Sequence, residues 1–516
     1  MSTFWVVLFL HFLSSLASQT VFNTTSRTSR VAAYDDGLFT PMEDLSALSD
    51  TQFSVLGHPA FPNYNLRIKK SVFCDETASA YTGYIDIEAR HIFFYFFESR
   101  NDPDTDDVIF WTNGGPGCSS SLGLFMELGP CRISDANGPS FHPESWNTNA
   151  NIFFVDQPIG VGFSYADYGE SVSTTEEAAK DIAAFVFLFF EHFTKFKGRA
   201  FHMAGESYGG RYVPVFAAEV YDQNAKFLAD GFTPVNLKSV MLGNGITDFY
   251  HQMTSSFDMQ CTSASVPPTL SVAECVRMKQ MIHRCEKRLK ESCVDKFDAV
   301  DCVAAGAFCE THLEVPFWLS ERNPYDISQP CDAKGMEDLC YPVTRQVLTS
   351  LHSPLAHLST LRHISNYLSL PSVRQSLGVD PAVPTNFSSC SPIVGAAFNA
   401  HLDGLRPTED YLGALLERGV RVLIYVGTYD WICNWVGNER WTLALEWSGR
   451  EAFNKEELRP WAVGGNFTGD KVRAGLVRSA NGLTFMTIDA AGHMVPYDKP
   501  KEALDLMQRW ISGEGF

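Results

Sequence analysis

The sequence predicts an α/β fold organised on a central, mostly parallel twisted sheet. Three observations carry that expectation. Short apolar runs, among them Asp107–Trp111, Asn151–Val155 and Phe201–Gly205, alternate with helix-compatible segments. Alternation of this kind builds a sheet with helices packed on its faces. Two more buried-strand runs, Val420–Gly427 and Leu483–Ile488, lie towards the C-terminus, and each is followed by a loop carrying an ionisable residue. Open α/β sheets bind ligands there, outside the carboxyl ends of the strands. The chain of 516 residues, 45% hydrophobic and 13% aromatic, is long enough for one large unit with an insertion.

Taken in order, Phe4–Leu16 is an apolar run broken by His11, Ser14 and Ser15, and Ser15-Leu16-Ala17 offers small residues for cleavage. It reads as a signal peptide over residues 1–17, too short for a membrane span. No later stretch supplies the ~20 apolar residues that a membrane helix needs. Residues 18–60 are polar and without period, and are expected to be a pro-segment or a flexible N-terminal region. The main α/β domain is expected over 61–516.

Ala80–Ile87 alternates at period two and His91–Phe97 is densely aromatic, which predicts a β-hairpin. Thr174-Thr175-Glu176-Glu177 is a capping box opening an apolar helix through about Thr194, with Gly198 beyond it. Composition shifts after about His251. Eight cysteines fall between Cys261 and Cys340, and Met278–Lys290 is amphipathic at helical period. An insertion over about 251–360, stapled by disulfides and lying over the site, is expected, part helix and much of the rest loop. The core should resume near Leu412. A net charge of −20 argues against nucleic acid as a partner.

The chemistry gathers around Gly205-Glu206-Ser207-Tyr208-Gly209, a Gly-x-Ser-x-Gly pattern at the end of an apolar run. A serine hydroxyl is a weak nucleophile, so it must stand clear of the sheet and meet a base. A strained strand-to-helix turn with glycines on either side does this. Asp430 follows the Val420–Gly427 run, and His493 follows Leu483–Ile488. The chain order Ser207, Asp430, His493 is that of an α/β-hydrolase fold. A chance match of a short motif is the competing reading, and three placements that agree weigh against it.

Three stretches, Asn113-Gly114-Gly115-Pro116-Gly117-Cys118-Ser119-Ser120, Gly205-Glu206-Ser207-Tyr208 and Gly492-His493-Met494-Val495-Pro496, resemble serine carboxypeptidases. Asp430-Trp431-Ile432-Cys433-Asn434-Trp435 is similar to the carboxypeptidase Y type within that family. The resemblance runs from about Phe61 to the C-terminus. It implies an α/β-hydrolase fold with a disulfide-stapled, largely helical insertion. It also implies release of C-terminal amino acids from peptides and proteins at acidic pH, through an acyl-enzyme. Ser207 would be the nucleophile, His493 the base and Asp430 the residue that holds the imidazole. The Tyr208 and Gly115 amides would form the oxyanion hole. Asn113, Gly114, Glu206 and Glu127 would grip the substrate's terminal carboxylate, with Trp111, Met494 and Cys433 bordering the pocket. Leu122 departs from the carboxypeptidase Y pattern, where a threonine is expected, and Gly210 is a smaller departure within the elbow.

Thirteen cysteines behind a signal peptide read as an oxidised framework. Similarity to the family's pattern implies Cys118–Cys390, Cys261–Cys275, Cys285–Cys309, Cys293–Cys302 and Cys331–Cys340. For the other three the expectation is a Cys74–Cys131 bridge and a free Cys433 thiol near the site. No Cys-x-x-Cys or His-x-x-x-His spacing suggests a metal, and no cofactor is expected. Asn23, Asn386 and Asn466 open glycosylation sequons, which fits a secretory route to a vacuole, a lysosome-like compartment or the exterior. Expected partners are peptide and protein C-termini, and a protein inhibitor is a further candidate. Two other functions compete: an acyltransferase with the same triad, and a non-catalytic protective or binding protein on the same fold.

Overall fold

The computed structural model describes residues 41–331, 340, 360–464 and 472–516, apart from 43, 60 and 75. Its centre is a sheet of 13 strands. The six central strands are the apolar runs of the sequence: β5 (Val108–Thr112), β6 (Asn151–Val155), β7 (Ala200–Glu206), β8 (Asn236–Gly243), β9 (Arg421–Gly427) and β12 (Leu483–Ile488). They pair in parallel in the order β6-β5-β7-β8-β9-β12. Both faces of these strands are covered, which is why they read as continuous hydrophobic runs. Antiparallel strands flank them. On one side stand β1 (Ser54–His58), β2 (Phe61–Ser71), β3 (Ala80–Ile87) and β4 (Arg90–Phe97), and on the other β10 (Arg459–Val463) and β11 (Val472–Ala480). β3 and β4 are the expected hairpin.

One face of the sheet is packed by α1 (Thr175–His192) and α2 (Gly209–Ala229), which bury Phe185, Phe189, Tyr212 and Phe216 against Phe94, Phe96, Phe110 and Phe153. α1 starts as its sequence predicts. The Thr174 hydroxyl accepts from Glu177 N, while the Glu177 carboxylate accepts from Ser173 N and not from the cap residue itself. The opposite face is closed by the C-terminal helix Pro500–Ser512 and by residues around Trp111 and Trp146.

Three expectations need correction. The stretch expected to be flexible up to residue 60 is, from Asp44 onward, part of this body. Leu45 and Leu48 are buried in the core, and β1 is the outermost strand, hydrogen-bonded to β2. The short Leu45–Ala47 turn, capped by Asp44, and Leu48 after it present only two core residues, too few for a detectable period. Second, the insertion is largely helical where it is described, as the resemblance implies, and not loop over much of its length. Helices α3 (Phe249–Thr254), α4 (Ser256–Cys261), α5 (Val272–Leu289), α6 (Ala299–Cys309) and α7 (Val315–Trp318) follow closely on one another. They enclose a core of their own around Met278, Ile282, Leu289 and Leu313. The main core also resumes earlier than Leu412, since Ile364, Leu368 and Phe398 already belong to it.

The third correction concerns cysteines. Cys74–Cys131, Cys118–Cys390, Cys261–Cys275, Cys293–Cys302 and Cys331–Cys340 are bridged as expected. Cys285 and Cys309 are not joined. Their thiols lie in hydrogen-bond contact, buried between α5 and α6, and the packing of those helices holds them together without a bond. Cys433 is a free thiol, as expected. The expected signal peptide, Asn23 and Asn466 lie outside the described residues, whereas Asn386 is exposed.

Candidate active site

β7 delivers Glu206 and then Ser207, whose φ of 61° lies in the left-handed region that costs a non-glycine residue energy. The strain is held from both sides. Ser207 N donates to Gly243 O at 3.2 Å, and the Ser207 carbonyl accepts from Gly210 N and Ile246 N, each at 2.9 Å. Glycine is required around it because the chain passes close to its neighbours. A Cβ on Gly210 would sit 2.7 Å from Gly245 Cα, and one on Gly205 would sit 2.8 Å from Val213 Cγ2.

The Asn113–Gly117 loop leaves β5 and lies directly on this elbow. A Cβ on Gly114 would be 2.3 Å from Tyr208 N and 2.8 Å from Ser207 Cβ, so only glycine permits the approach. Gly115 takes a φ of 113°, again a glycine conformation. Among the described residues, neither the Gly115 N–H nor the Tyr208 N–H donates to a protein acceptor. Unpaired donors beside a serine are what an oxyanion hole needs.

β9 and β12 bring the acid and the base. His493 Nδ1 bonds Asp430 Oδ2 at 2.8 Å, with both side chains buried. Asp430 is saturated with donors: Asn244 Nδ2 at 2.7 Å on Oδ2, and Ile432 N at 3.1 Å and Cys433 N at 3.3 Å on Oδ1. A carboxylate so held fixes the orientation of the ring that it bonds. The insertion adds to this grip. His493 N donates to Tyr325 O at 2.8 Å, and the Tyr325 ring stands 5.1 Å from the imidazole. Trp431, next to Asp430, stacks on Phe317 of α7 at 3.9 Å. The Cys433 thiol is in hydrogen-bond contact with Ser207. Burial, then the charges of Asp430 and Glu206, pushes it well above the usual thiol range. Donor atoms of Asp430, Cys433 and His493 lie within 4.8 Å of one another, close enough to offer ligands to a metal ion. Two of those donors are already engaged with each other in the Asp430–His493 bond.

Beside the serine lie two buried carboxyls, Glu206 and Glu127, 2% and 0% exposed. Burial first, then the neighbouring Glu127, holds Glu206 well above the usual carboxylate range. The two groups are within hydrogen-bond contact. Two carboxylates cannot share such a bond unless one carries a proton. Among the described residues Glu127 Oε2 has no N–H or hydroxyl donor, while its Oε1 accepts from Asn113 Nδ2 at 3.0 Å. Asn113 is itself oriented: Oδ1 accepts from Trp111 Nε1 and from Gly123 N, both at 2.8 Å. Among the described residues Nδ2 donates only to Glu127.

Sequence motifs therefore converge in space: Ser207, Asp430, His493, Tyr208, the Asn113–Gly115 loop, Glu206, Glu127 and Cys433. Trp111 is a partial exception. It is wholly buried and acts behind Asn113, not as an exposed pocket wall. Met494 follows His493 and is buried, and Leu122 is buried where the Gly123–Glu127 turn begins. Sequence reasoning missed Asn244, Tyr325 and Tyr425. Tyr425 lies across β8 from Glu206, and its hydroxyl passes over Gly243. None of the three sits in a motif, so only strand neighbours and the insertion's path reveal them.

Comparison with known proteins decides among the readings. The family model described as serine carboxypeptidase matches residues 73–513. The chain belongs to the serine carboxypeptidase family. This serine carboxypeptidase is 41% identical over 458 residues to carboxypeptidase Y of Candida albicans, covering 88% of this chain and 77% of that one. It is 39% identical over 455 residues to the vacuolar serine-type carboxypeptidase ATG42 of Saccharomyces cerevisiae, 87% and 83% of the two chains. A solved structure of Kex1, a prohormone-processing carboxypeptidase from Saccharomyces cerevisiae, superposes with a TM-score of 0.71. It is 22% identical and covers 86% of this chain and 95% of its own, so it supports the fold alone. The chain is a serine-type carboxypeptidase acting on peptides, and the acyltransferase and binding-protein alternatives are not favoured. Among the described residues no helix is long and apolar enough to cross a membrane.

Proposed function

We propose that Ser207 attacks the carbonyl of a peptide's last bond, with His493 taking its proton and Asp430 stabilising the imidazolium. The oxyanion accepts from Gly115 N–H and Tyr208 N–H. His493 then protonates the leaving amine, and the free amino acid departs. Water, deprotonated by the same imidazole, hydrolyses the acyl ester on Ser207. The specificity for a chain end comes from Glu206 and Asn113, with Gly114 alongside. A protonated Glu206 and the free Asn113 N–H donate to the terminal carboxylate, and Glu127 receives the other Asn113 hydrogen. The observation that carries this reading is the buried Glu206–Glu127 contact beside the elbow, which fits a pair holding a proton.

That requirement favours an acidic compartment, in agreement with the vacuolar relative. Entry by a cleaved signal peptide, removal of a pro-segment, glycosylation at Asn386 and control by a protein inhibitor belong to the same reading. Incubating the processed protein with N-blocked peptides at acidic pH and following products by mass spectrometry tests it. Single residues should leave stepwise from the free C-terminus, while peptides cut internally would contradict the assignment.

Cys433 supplies a separate check. Its thiol touches Ser207 and is protonated, so alkylating reagents that need a thiolate should react slowly. Organomercurials, which bind thiols strongly, should inhibit by filling the space beside the serine. Cys433→Ser should remain active and become resistant. Undiminished mercurial sensitivity in that variant would place the reactive thiol elsewhere.

A further inference from the structure

We propose that Asp403 is a positioning residue for the oxyanion donors, and that the segment from Ser389 to Asp403 holds both donors from one side. The inference rests on the reading of Tyr208 and Gly115 given above. Tyr208 carries its amide next to the nucleophile, but its hydroxyl ends 2.6 Å from Asp403 Oδ2 in a buried site. Asp403 is 1% exposed and is fixed by the start of α1. Thr175 N donates to Oδ1 at 2.8 Å, and Thr175 Oγ1 donates to Oδ2 at 2.7 Å. Arg211, on the first turn of α2, compensates the charge with its Nε at 3.7 Å. The tip of Tyr208 is thereby tied to a rigid helix start, and its backbone lies between strained Ser207 and α2. Fixing the tip of a rigid ring that turns about only two side-chain torsions restricts the rotation of the backbone that carries it.

The same segment grips the second donor at its other end. Cys390 is bridged to Cys118, three residues after Gly115. Ser391 N donates to Gly117 O and Ser119 N donates to Ser389 O, both at 2.8 Å. The helix Pro392–Ala400 spans the distance between the two grips, and its Phe398 packs edge-on to the Tyr208 ring at 6.2 Å. Oxyanion stabilisation depends on donors that are already placed when charge develops. A shift of this segment would move both at once.

Three variants test it with the processed enzyme: Tyr208→Phe, Asp403→Ala and Asp403→Asn. Tyr208→Phe and Asp403→Ala are each expected to lower kcat for a blocked dipeptide about ten- to a hundredfold with KM nearly unchanged, since a lost oxyanion donor costs about 10² to 10³. Affinity for an N-blocked amino boronic acid, whose tetrahedral oxygen occupies the hole, should fall in parallel with kcat. The double variant Tyr208→Phe with Asp403→Ala should be no worse than the weaker single one, because both remove the same bond. Asp403→Asn retains a partner for the hydroxyl and should recover most of the loss. Unchanged kcat in Tyr208→Phe, boronate affinity that does not follow kcat, or multiplying losses in the double variant would overturn the proposal. If Asp403→Ala does not fold, Tyr208→Phe and Asp403→Asn still decide it. A dead Ser207→Ala beside an unimpaired Tyr208→Phe removes this inference alone, whereas an active Ser207→Ala removes the reading beneath it.

Discussion

Ser207→Ala is expected to lower kcat for a blocked dipeptide by about 10⁴- to 10⁶-fold while leaving the melting temperature close to wild type. The residual rate comes from binding and the oxyanion donors, which the substitution leaves in place. His493→Ala should lose a similar factor, and the double variant should be no worse than either, because nucleophile and base act as a unit. The structure gives a reason to expect little loss of stability. Ser207 is held in its φ of 61° by backbone bonds to Gly243, Gly210 and Ile246, none of which uses the hydroxyl. Steady-state assays and thermal melts on the three variants check this. Multiplying losses would mean that serine and histidine serve separate steps.

The second large effect is on pH dependence. In the proposed role Glu206 must carry a proton to bind a terminal carboxylate, and burial beside Glu127 raises the pH at which that proton is lost. The binding-competent form is full below the raised pKa and disappears as pH climbs through it. Above that point, KM for a free-acid peptide should rise about tenfold per pH unit, as the protonated fraction falls tenfold. Substrates ending in an amide or an ester bring no second charge and should keep their KM to higher pH. Glu206→Gln donates at every pH and should flatten the profile for the acid. An equally steep rise in wild type and Glu206→Gln would remove Glu206 from carboxylate recognition.

Where sequence and structure agree, the reason is local. β6 and β12 match their apolar runs residue for residue because a strand buried on both faces needs only continuous hydrophobicity and a turn at each end. Ser207, Asp430 and His493 were legible because each follows such a strand. What was not legible depends on contacts far along the chain. Asn244 acquires its role by standing just past the end of β8, the strand between those that lead to Glu206 and Asp430, and Tyr325 by the return of the insertion onto the His493 loop. Leu45, Leu48 and β1 look like polar linker until β2 offers them an edge. Cys285 and Cys309 show the limit of carrying over a pairing: the helices bring the sulfurs together, but the bond does not follow from proximity.

Whether one serine cuts the last peptide bond from a free C-terminus can be read in a single adduct. An N-blocked peptide acid is mixed with the processed enzyme at acidic pH, quenched in strong acid within the first turnover, and digested for peptide mass spectrometry. An ester on Ser207 is expected whose mass is the blocked peptide less its C-terminal residue, with no adduct in His493→Ala. An acyl group on another residue, or one ending at an internal bond of the peptide, would contradict it.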